Sequence, residues 1–222
     1  MAKNNKQNRN TVERPLRKVR IDDLNTIKPI TEKQKDTFSE YRKDKSMFLH
    51  GIAGTGKTYL ALALALEEVL DPSTPYKKIN IVRSVVPTRN IGFLKGDDKE
   101  KIQVYEAPYI SICEELFNNR DAYEQLKNQN SVEFMSTSFI RGSTLNRSVI
   151  IVDECENLNF HELDSIITRV GTDSKIIFCG DYTQSDFTNK SEKDGILSFI
   201  KIIKAMGKFS FIEFSVEDIV RS

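Results

Sequence analysis

The sequence of 222 residues contains no tryptophan, two histidines and three cysteines. The cysteines, Cys113, Cys155 and Cys179, are odd in number and far apart, which argues against a disulfide framework or a zinc site and favours a reducing compartment. His50 and His161 lack the spacing of paired metal ligands. Neither histidine is therefore given a functional role.

Long apolar stretches are also missing. No run approaches the ~20 residues that span a bilayer, and the N-terminus lacks the apolar core of a signal peptide. We therefore expect a cytoplasmic protein without a membrane segment.

Charge of one sign is not in excess, because the formal net charge is only +1 and creates no global field for nucleic acid. Residues 1–20 are different, since they hold seven Lys or Arg against one acid, Glu13. We expect them to form a mobile tail that either solubilises the protein or contacts RNA phosphates. Residues 21–222 are expected to form a single domain.

Helical and strand patterns alternate along the rest of the chain. Apolar or β-branched runs predict strands at 47–49, 79–86, 131–135, 148–152, 175–179 and 209–214. Helices are predicted at 31–43 with Thr31 as cap, 58–70, 102–118 with an interruption at Pro108, 160–170 and 194–206, and a charged loop at 90–101. This alternation predicts an α/β fold with a mostly parallel sheet, whose ligands lie beyond the carboxyl ends of the strands.

One motif between the first strand and the second helix matches G-x-x-x-x-G-K-[ST], the Walker A pattern that binds the phosphates of ATP. Its glycines let backbone N–H groups face phosphate, and the helix N-terminus adds positive charge. Lys57 is expected to reach the β- and γ-phosphates, and Thr58 to ligate Mg²⁺. The predicted nucleotide-binding residues are Gly51, Ile52, Ala53, Gly54, Thr55, Gly56, Lys57 and Thr58.

A second motif follows the apolar strand 148–152 and resembles Walker B. Asp153 is expected to hold Mg²⁺, and Glu154 to polarise the attacking water as a general base. The alternative is a pair of solvated acids at a strand end.

Further candidates have weaker support. In ATPases with an adjacent catalytic Glu, an additional strand lies between the Walker A and Walker B strands, and a polar residue after it can sense the γ-phosphate. Gln184 is the candidate for this role, and Asp181 can instead cap the loop. Gln34 is placed to read the adenine edge, or is an exposed helix residue. Arg83 and Ser84 either hold a nucleic-acid phosphate or brace the sheet.

Several stretches together resemble the PhoH family, whose core is related to superfamily-1 helicases. They are GIAGTGKTYLA, GFLKGD at 92–97, RGSTLN at 141–146, IIVDECEN, TRVG at 168–171, SKIIFCGDYTQSD and FSVEDIVRS. The resemblance implies a RecA-like ATPase core in the cytoplasm, associated with single-stranded RNA and sometimes with a ribonuclease partner. It also implies a homo-oligomeric ring, such as a hexamer, and a possible bacteriophage source.

The chain departs from the family pattern at three places. Ser84 replaces the Pro of an Arg-Pro pair, and Arg89 stands where an acidic residue precedes GFL. Glu156 replaces the Gln of DEAQ, so a Gln-mediated role is not carried over. A charge-stabilising Arg is expected from a neighbouring subunit, with Arg221 the first choice and Arg169 and Arg141 the reserves.

The sequence thus favours an ATPase coupled to RNA. A nucleotide-dependent binding module that acts through a partner is the first alternative, and a small-molecule kinase is the second.

Overall fold

The computed structural model describes residues 17–85, 98–138, 140, 142–182 and 190–220, with the side chains of 98–101 and 190–194 excepted. The strands are β1 (Ser46–Gly51), β2 (Lys78–Arg83), β3 (Val132–Ser136), β4 (Ser148–Val152), β5 (Lys175–Gly180) and β6 (Phe209–Phe214). The α-helices are α1 (Glu32–Tyr41), α2 (Lys57–Leu70), α3 (Asp98–Phe117), α4 (Ala122–Asn128), α5 (Phe160–Ile167) and α6 (Lys190–Ala205).

The strands form one sheet in the order β3-β2-β4-β5-β1-β6. Every pairing between them is parallel, as expected for strands joined by crossover connections. Strand β5 lies between the Walker A strand β1 and the Walker B strand β4, so the predicted additional strand is confirmed. The fold is the predicted RecA-like P-loop architecture.

Helices cover both faces of the sheet, as a parallel sheet requires. Helices α1 to α4 pack on one face, and the Ala- and Leu-rich α2 is buried over most of its length. Helices α5 and α6 pack on the other face against Phe48, Ile150 and Phe178. Among the described helices, none combines the length and apolar composition needed to cross a membrane.

Several predicted boundaries were wrong. Helix α3 begins at Asp98, inside the stretch predicted as loop, and runs through Pro108. The proline removes one backbone donor, but burial of Tyr109, Cys113 and Leu116 holds the helix against the core. Strand β2 ends at Arg83, earlier than predicted. Helix α5 ends at Ile167, because the chain then turns to form a bridge between Leu145 and Val170.

That bridge joins the RGSTLN and TRVG stretches at the amino ends of β4 and β5. The Asn146 amide oxygen accepts a hydrogen bond from the backbone N–H of Thr172 at 2.9 Å. A side chain on Gly171 would place its Cβ 2.1 Å from that same oxygen, so only glycine fits there. The described parts of these two stretches therefore hold together the loops that precede β4 and β5, at the opposite ends of the strands from the Walker motifs.

Residues 17–20 fall inside the predicted tail but contact the domain. Val19 is buried, and its backbone N–H and C=O both bond the side-chain amide of Gln129, at 3.0 and 3.2 Å. These contacts hold the chain against the turn that follows α4.

Candidate nucleotide site

The loop between β1 and α2 has the backbone shape that a phosphate-binding loop needs. Gly51, Gly54 and Gly56 have φ values of 127°, 81° and 83°, a region that L side chains rarely adopt. Gly51 also lies against β6, because a Cβ there would be 2.0 Å from the carbonyl oxygen of Phe214. The glycines of the motif are therefore required by geometry.

The Lys57 ammonium folds back over this loop. It donates to the carbonyl oxygens of Gly51 and Ile52 at 2.6 and 2.7 Å, and lies 3.4 Å from the Thr55 hydroxyl. Burial lowers the pKa of Lys57, because the charged form loses solvent. These partners are neutral oxygens, so an incoming phosphate would be a stronger partner than those the lysine has.

The predicted magnesium ligands lie together. The Thr58 hydroxyl donates to Asp153 Oδ1 at 2.7 Å, and the Tyr109 hydroxyl donates to Asp153 Oδ2 at 2.8 Å. A hydroxyl and a carboxylate are hard oxygen ligands, and Mg²⁺ is commonly held by one or two such groups together with substrate phosphates. The pair therefore fits Mg²⁺. Tyr109 was not predicted, because a lone tyrosine in a helix looks like an ordinary core residue.

Glu154 follows Asp153 and turns away from it. Its backbone is left-handed, with φ 49° and ψ 46°, which is uncommon for a residue of this kind. Its carboxylate pairs with Arg83 at the end of β2, with 2.5 Å between Arg83 Nη2 and Glu154 Oε1. The sequence offered two roles for Arg83, a phosphate contact or a sheet brace, and this ion pair joins the ends of the neighbouring strands β2 and β4, as a sheet brace would.

Glu156 connects the ends of β4 and β5. Its Oε2 accepts a hydrogen bond from the backbone N–H of Asp181 at 3.1 Å. A Cβ on Gly180 would lie 2.1 Å from the same oxygen, so the glycine makes room for the carboxylate. Burial raises the pKa of Glu156. Gln184, the predicted sensor, lies outside the described residues.

The motifs surround one cavity of about 860 Å³, large enough for a nucleotide. Its polar wall carries Lys57, Asp153, Glu154 and Arg83. Its apolar wall is formed by Ile27, Tyr59, Ile112 and Val220. The lining thus combines charged groups suited to phosphates with apolar groups suited to a base.

Gln34 also lines this cavity. It is buried in the first turn of α1, and its Oε1 accepts from the backbone N–H of Ile30 at 2.8 Å. Its Nε2 lies 3.8 Å from the point where a Cβ on Gly56 would stand, so the amide is next to the phosphate loop. Its burial excludes the exposed-helix alternative.

The candidate arginines are differently placed. Arg169 lies after α5, where its carbonyl accepts from Leu145 at the amino end of β4, away from the cavity. Arg141 and Arg221 lie outside the described residues. Val220, however, donates its backbone N–H to the carbonyl of Gly54 at 3.1 Å, so the chain reaches its own phosphate loop one residue before Arg221.

Comparison with known proteins agrees with this geometry. The family model described as PhoH-like protein matches residues 26–222. The PhoH-like protein of Bacillus subtilis (strain 168) is 32% identical over 197 residues, covering 88% of this chain and 60% of the relative. Protein PhoH2 of the same organism is 39% identical over 142 residues, covering 62% of this chain and 32% of the relative.

A solved structure with the same fold is the large terminase from a thermophilic bacteriophage. It aligns with a TM-score of 0.54 at 12% identity, covering 86% of this chain and 47% of the terminase. The present chain spans 60% or less of the length of the two Bacillus relatives. The family match over residues 26–222, on a P-loop NTPase fold, establishes that the chain belongs to the PhoH family.

Proposed function

We propose that this protein binds Mg-ATP and hydrolyses it. The observation that carries the proposal is the hydrogen bond between Thr58 and Asp153, in the same cavity as Lys57 and Glu154. Lys57 exchanges its carbonyl partners for the β- and γ-phosphates, and Thr58 and Asp153 hold the metal. Bound Mg²⁺ supplies charge neutralisation to the phosphates.

Glu154 is the proposed general base. It follows the metal-binding carboxylate directly and lines the phosphate end of the cavity, where an attacking water would stand. A base directed at water favours hydrolysis over transfer to a small-molecule acceptor. The ion pair with Arg83 favours the binding module as the second candidate, because it occupies the carboxylate that hydrolysis needs.

Coupling to single-stranded RNA is part of the proposal, as are a homo-oligomeric ring, a cytoplasmic location and action beside a ribonuclease partner. The support is family membership. The matched relatives extend well beyond the length shared with this chain, so partners of the whole proteins are carried over only as proposals.

Phosphate release tests the activity. Lys57→Ala should nearly abolish ATP binding, whereas Glu154→Gln should bind ATP and lose turnover, because its carboxylate acts on the water. Stimulation by single-stranded RNA supports coupled hydrolysis, and slow RNA-indifferent turnover supports the binding module. Wild-type turnover by Glu154→Gln would remove Glu154 from the reaction, and phosphate appearing on an added acceptor would indicate a kinase.

We also propose that Arg221 stabilises the negative charge of the transferred phosphoryl group. Gln184 is proposed to sense the γ-phosphate. A ring would let one subunit supply this Arg to the next, and the alternative is that each chain supplies its own. Mixing inactive Arg221→Ala chains with inactive Lys57→Ala chains decides between the two. Activity returns on subunit exchange only if the neighbour supplies the Arg.

A further inference from the structure

We propose that Arg83 restrains the general base Glu154, and that a nucleic-acid phosphate activates hydrolysis by taking the Arg83 guanidinium. This inference rests on the proposed ATPase function and adds a regulatory role to that site. It makes Arg83 a positioning residue that acts through Glu154, and it links a second anion, at the β2 end of the cavity, to the reaction.

The contact itself has the geometry of a restraint. Arg83 Nη2 lies 2.5 Å from Glu154 Oε1, and the two side chains are 16% and 42% exposed. A carboxylate that accepts a short charge-assisted hydrogen bond from a guanidinium is held in place and is a weaker acceptor for a water proton. In this arrangement Glu154 is present in the cavity but is not free to act.

Arg83 is supported from α3. Its guanidinium carbon lies 5.8 Å from the centre of the Tyr105 ring, and one turn further along Tyr109 bonds the magnesium ligand Asp153. Helix α3 thereby contacts both the restraint and the metal site. A shift of Arg83 toward another partner would be transmitted to both carboxylates.

The guanidinium is not saturated. Arg83 Nε is buried and has no hydrogen-bond partner within the described residues. Nε and one Nη nitrogen form a fork that matches two oxygens of a phosphate, and a single carboxylate oxygen uses only one side of it. A phosphate group would therefore satisfy a donor that Glu154 leaves empty.

The position of Arg83 identifies which phosphate could do this. In the sheet β2 is separated from β1 by β4 and β5, which places Arg83 about 14 Å from the phosphate-loop strand, at ~4.8 Å per strand. Glu154, at the end of β4, stands between them. Arg83 lines the same cavity as Lys57, so a phosphate at Arg83 would lie at the β2 end of that cavity, beyond Glu154, where a phosphodiester of a nucleic-acid strand can bind without displacing the ATP phosphates.

The test is the basal ATPase rate of Arg83→Met. We expect kcat without RNA to rise roughly tenfold, the factor that corresponds to ~1.4 kcal/mol. KM for ATP should stay within about twofold, since Lys57 and Thr58 are untouched, and stimulation by a single-stranded RNA oligonucleotide should disappear. Lys78→Met is the matched control, because it removes an ion pair to Glu133 (2.6 Å) from the opposite end of the same strand. Its rate should be unchanged.

Two further variants make the test specific. Arg83→Lys keeps the charge without the fork, so its basal rate should rise less and its RNA response should weaken. Arg83→Met combined with Glu154→Gln should be as inactive as Glu154→Gln alone, because any gain must pass through Glu154. A fall in kcat for Arg83→Met, with melting temperature and ATP affinity intact, would overturn the restraint. Absence of turnover in the wild type, with or without RNA, would instead sink the proposed function.

Discussion

Two largely buried lysines lie at opposite ends of the strands, and they differ in the charge of their hydrogen-bond partners. Lys57, at the carboxyl end, donates to the carbonyl oxygens of Gly51 and Ile52. Lys175, at the amino end of β5, pairs with two carboxylates, Glu68 at 2.8 Å and Asp44 at 3.2 Å. One cation is therefore balanced by full negative charges, and the other rests on neutral oxygens.

The surroundings of Lys175 complete its charge balance. Its ammonium lies 3.9 Å from the centre of the Tyr41 ring and 4.8 Å from that of Tyr76. The two tyrosine hydroxyls in turn donate to Glu68 and Asp44, each at 2.6 Å. Folding alone satisfies this cluster, so its role is stability.

At the carboxyl ends of the strands, around the Walker motifs, charged groups are less completely partnered than Lys175 is. Lys57 has a lowered pKa, Arg83 Nε has no hydrogen-bond partner in the described part of the chain, and Glu154 adopts a left-handed backbone. Groups that folding leaves partly unsatisfied are groups that a ligand can satisfy. Burial of a charge therefore does not by itself identify a site. Among the described residues, an unpartnered buried group points to a site only where it also lines a cavity, as Arg83 does and the buried, unpartnered amide of Asn80 in the middle of β2 does not.

Lys57→Met should give the largest effect on function and a small effect on stability. Each lost charge-assisted hydrogen bond to phosphate is worth about 1.5–3 kcal/mol, so ATP affinity should fall roughly a hundredfold or more. The free energy of unfolding without nucleotide should change by only ~1 kcal/mol, because burial already penalises this charge. Nucleotide titration and urea unfolding measure the two quantities.

Lys175→Met should do the opposite. It leaves Glu68, which is 22% exposed and keeps its hydrogen bond from Tyr41, without its cation, so we expect a loss of about 1.5–3 kcal/mol of unfolding free energy. ATP affinity of the folded fraction should stay close to wild type. Lys43→Met, which removes an exposed pair with Glu40, is the control and should change little. If Lys57→Met destabilises as much as Lys175→Met, the contrast between the two lysines fails.

Sequence alone identified what is contiguous in the chain. The Walker A and Walker B residues each form a short motif, and the order of the strands and of all the described α-helices except the short α4 followed from periodicity. Contacts between distant elements left no such signal. The Tyr109 hydroxyl donates to Asp153, which lies 44 positions further along the chain, and Arg83 pairs with Glu154 between the ends of the neighbouring strands β2 and β4. Lys175 was predicted only as the first residue of a strand, because the two acids and two aromatic rings around it are distant in the sequence.

A substitution at Gln34 tests whether this side chain contributes to the choice between ATP and GTP. Its Oε1 already accepts from Ile30, so Gln34→Glu keeps that bond, while it replaces the amide donor next to the phosphate loop with a carboxylate oxygen that cannot donate and that also repels phosphate. We expect ATP affinity to fall roughly tenfold, the loss of one or two hydrogen bonds of about 0.5–1.5 kcal/mol each, and GTP affinity to fall less. Equal losses for both nucleotides in a binding titration would remove Gln34 from the site.

The smallest expected effect is on stability at Glu156, a carboxylate that lies where the PhoH pattern DEAQ has Gln. Burial raises its pKa above the ordinary value of 4.5, so the folded state holds this proton more tightly than the unfolded state does. Its contribution to stability is therefore fully present below about pH 4.5 and is lost as the pH rises through the folded-state pKa. Gln can accept the same hydrogen bond from Asp181 without ionising.

Glu156→Gln should consequently stabilise the protein by about 1 kcal/mol at pH 8, with the gain shrinking toward pH 5, because protonated Glu and Gln are then alike. Urea unfolding across this range measures the gain, and the exposed Glu217→Gln provides a control that should show no such trend. A gain that is constant with pH would mean that packing, and not charge, distinguishes the two residues. A pH-dependent gain would place Glu156 with Lys57, as a group at the carboxyl end of the sheet whose charged form is disfavoured by burial.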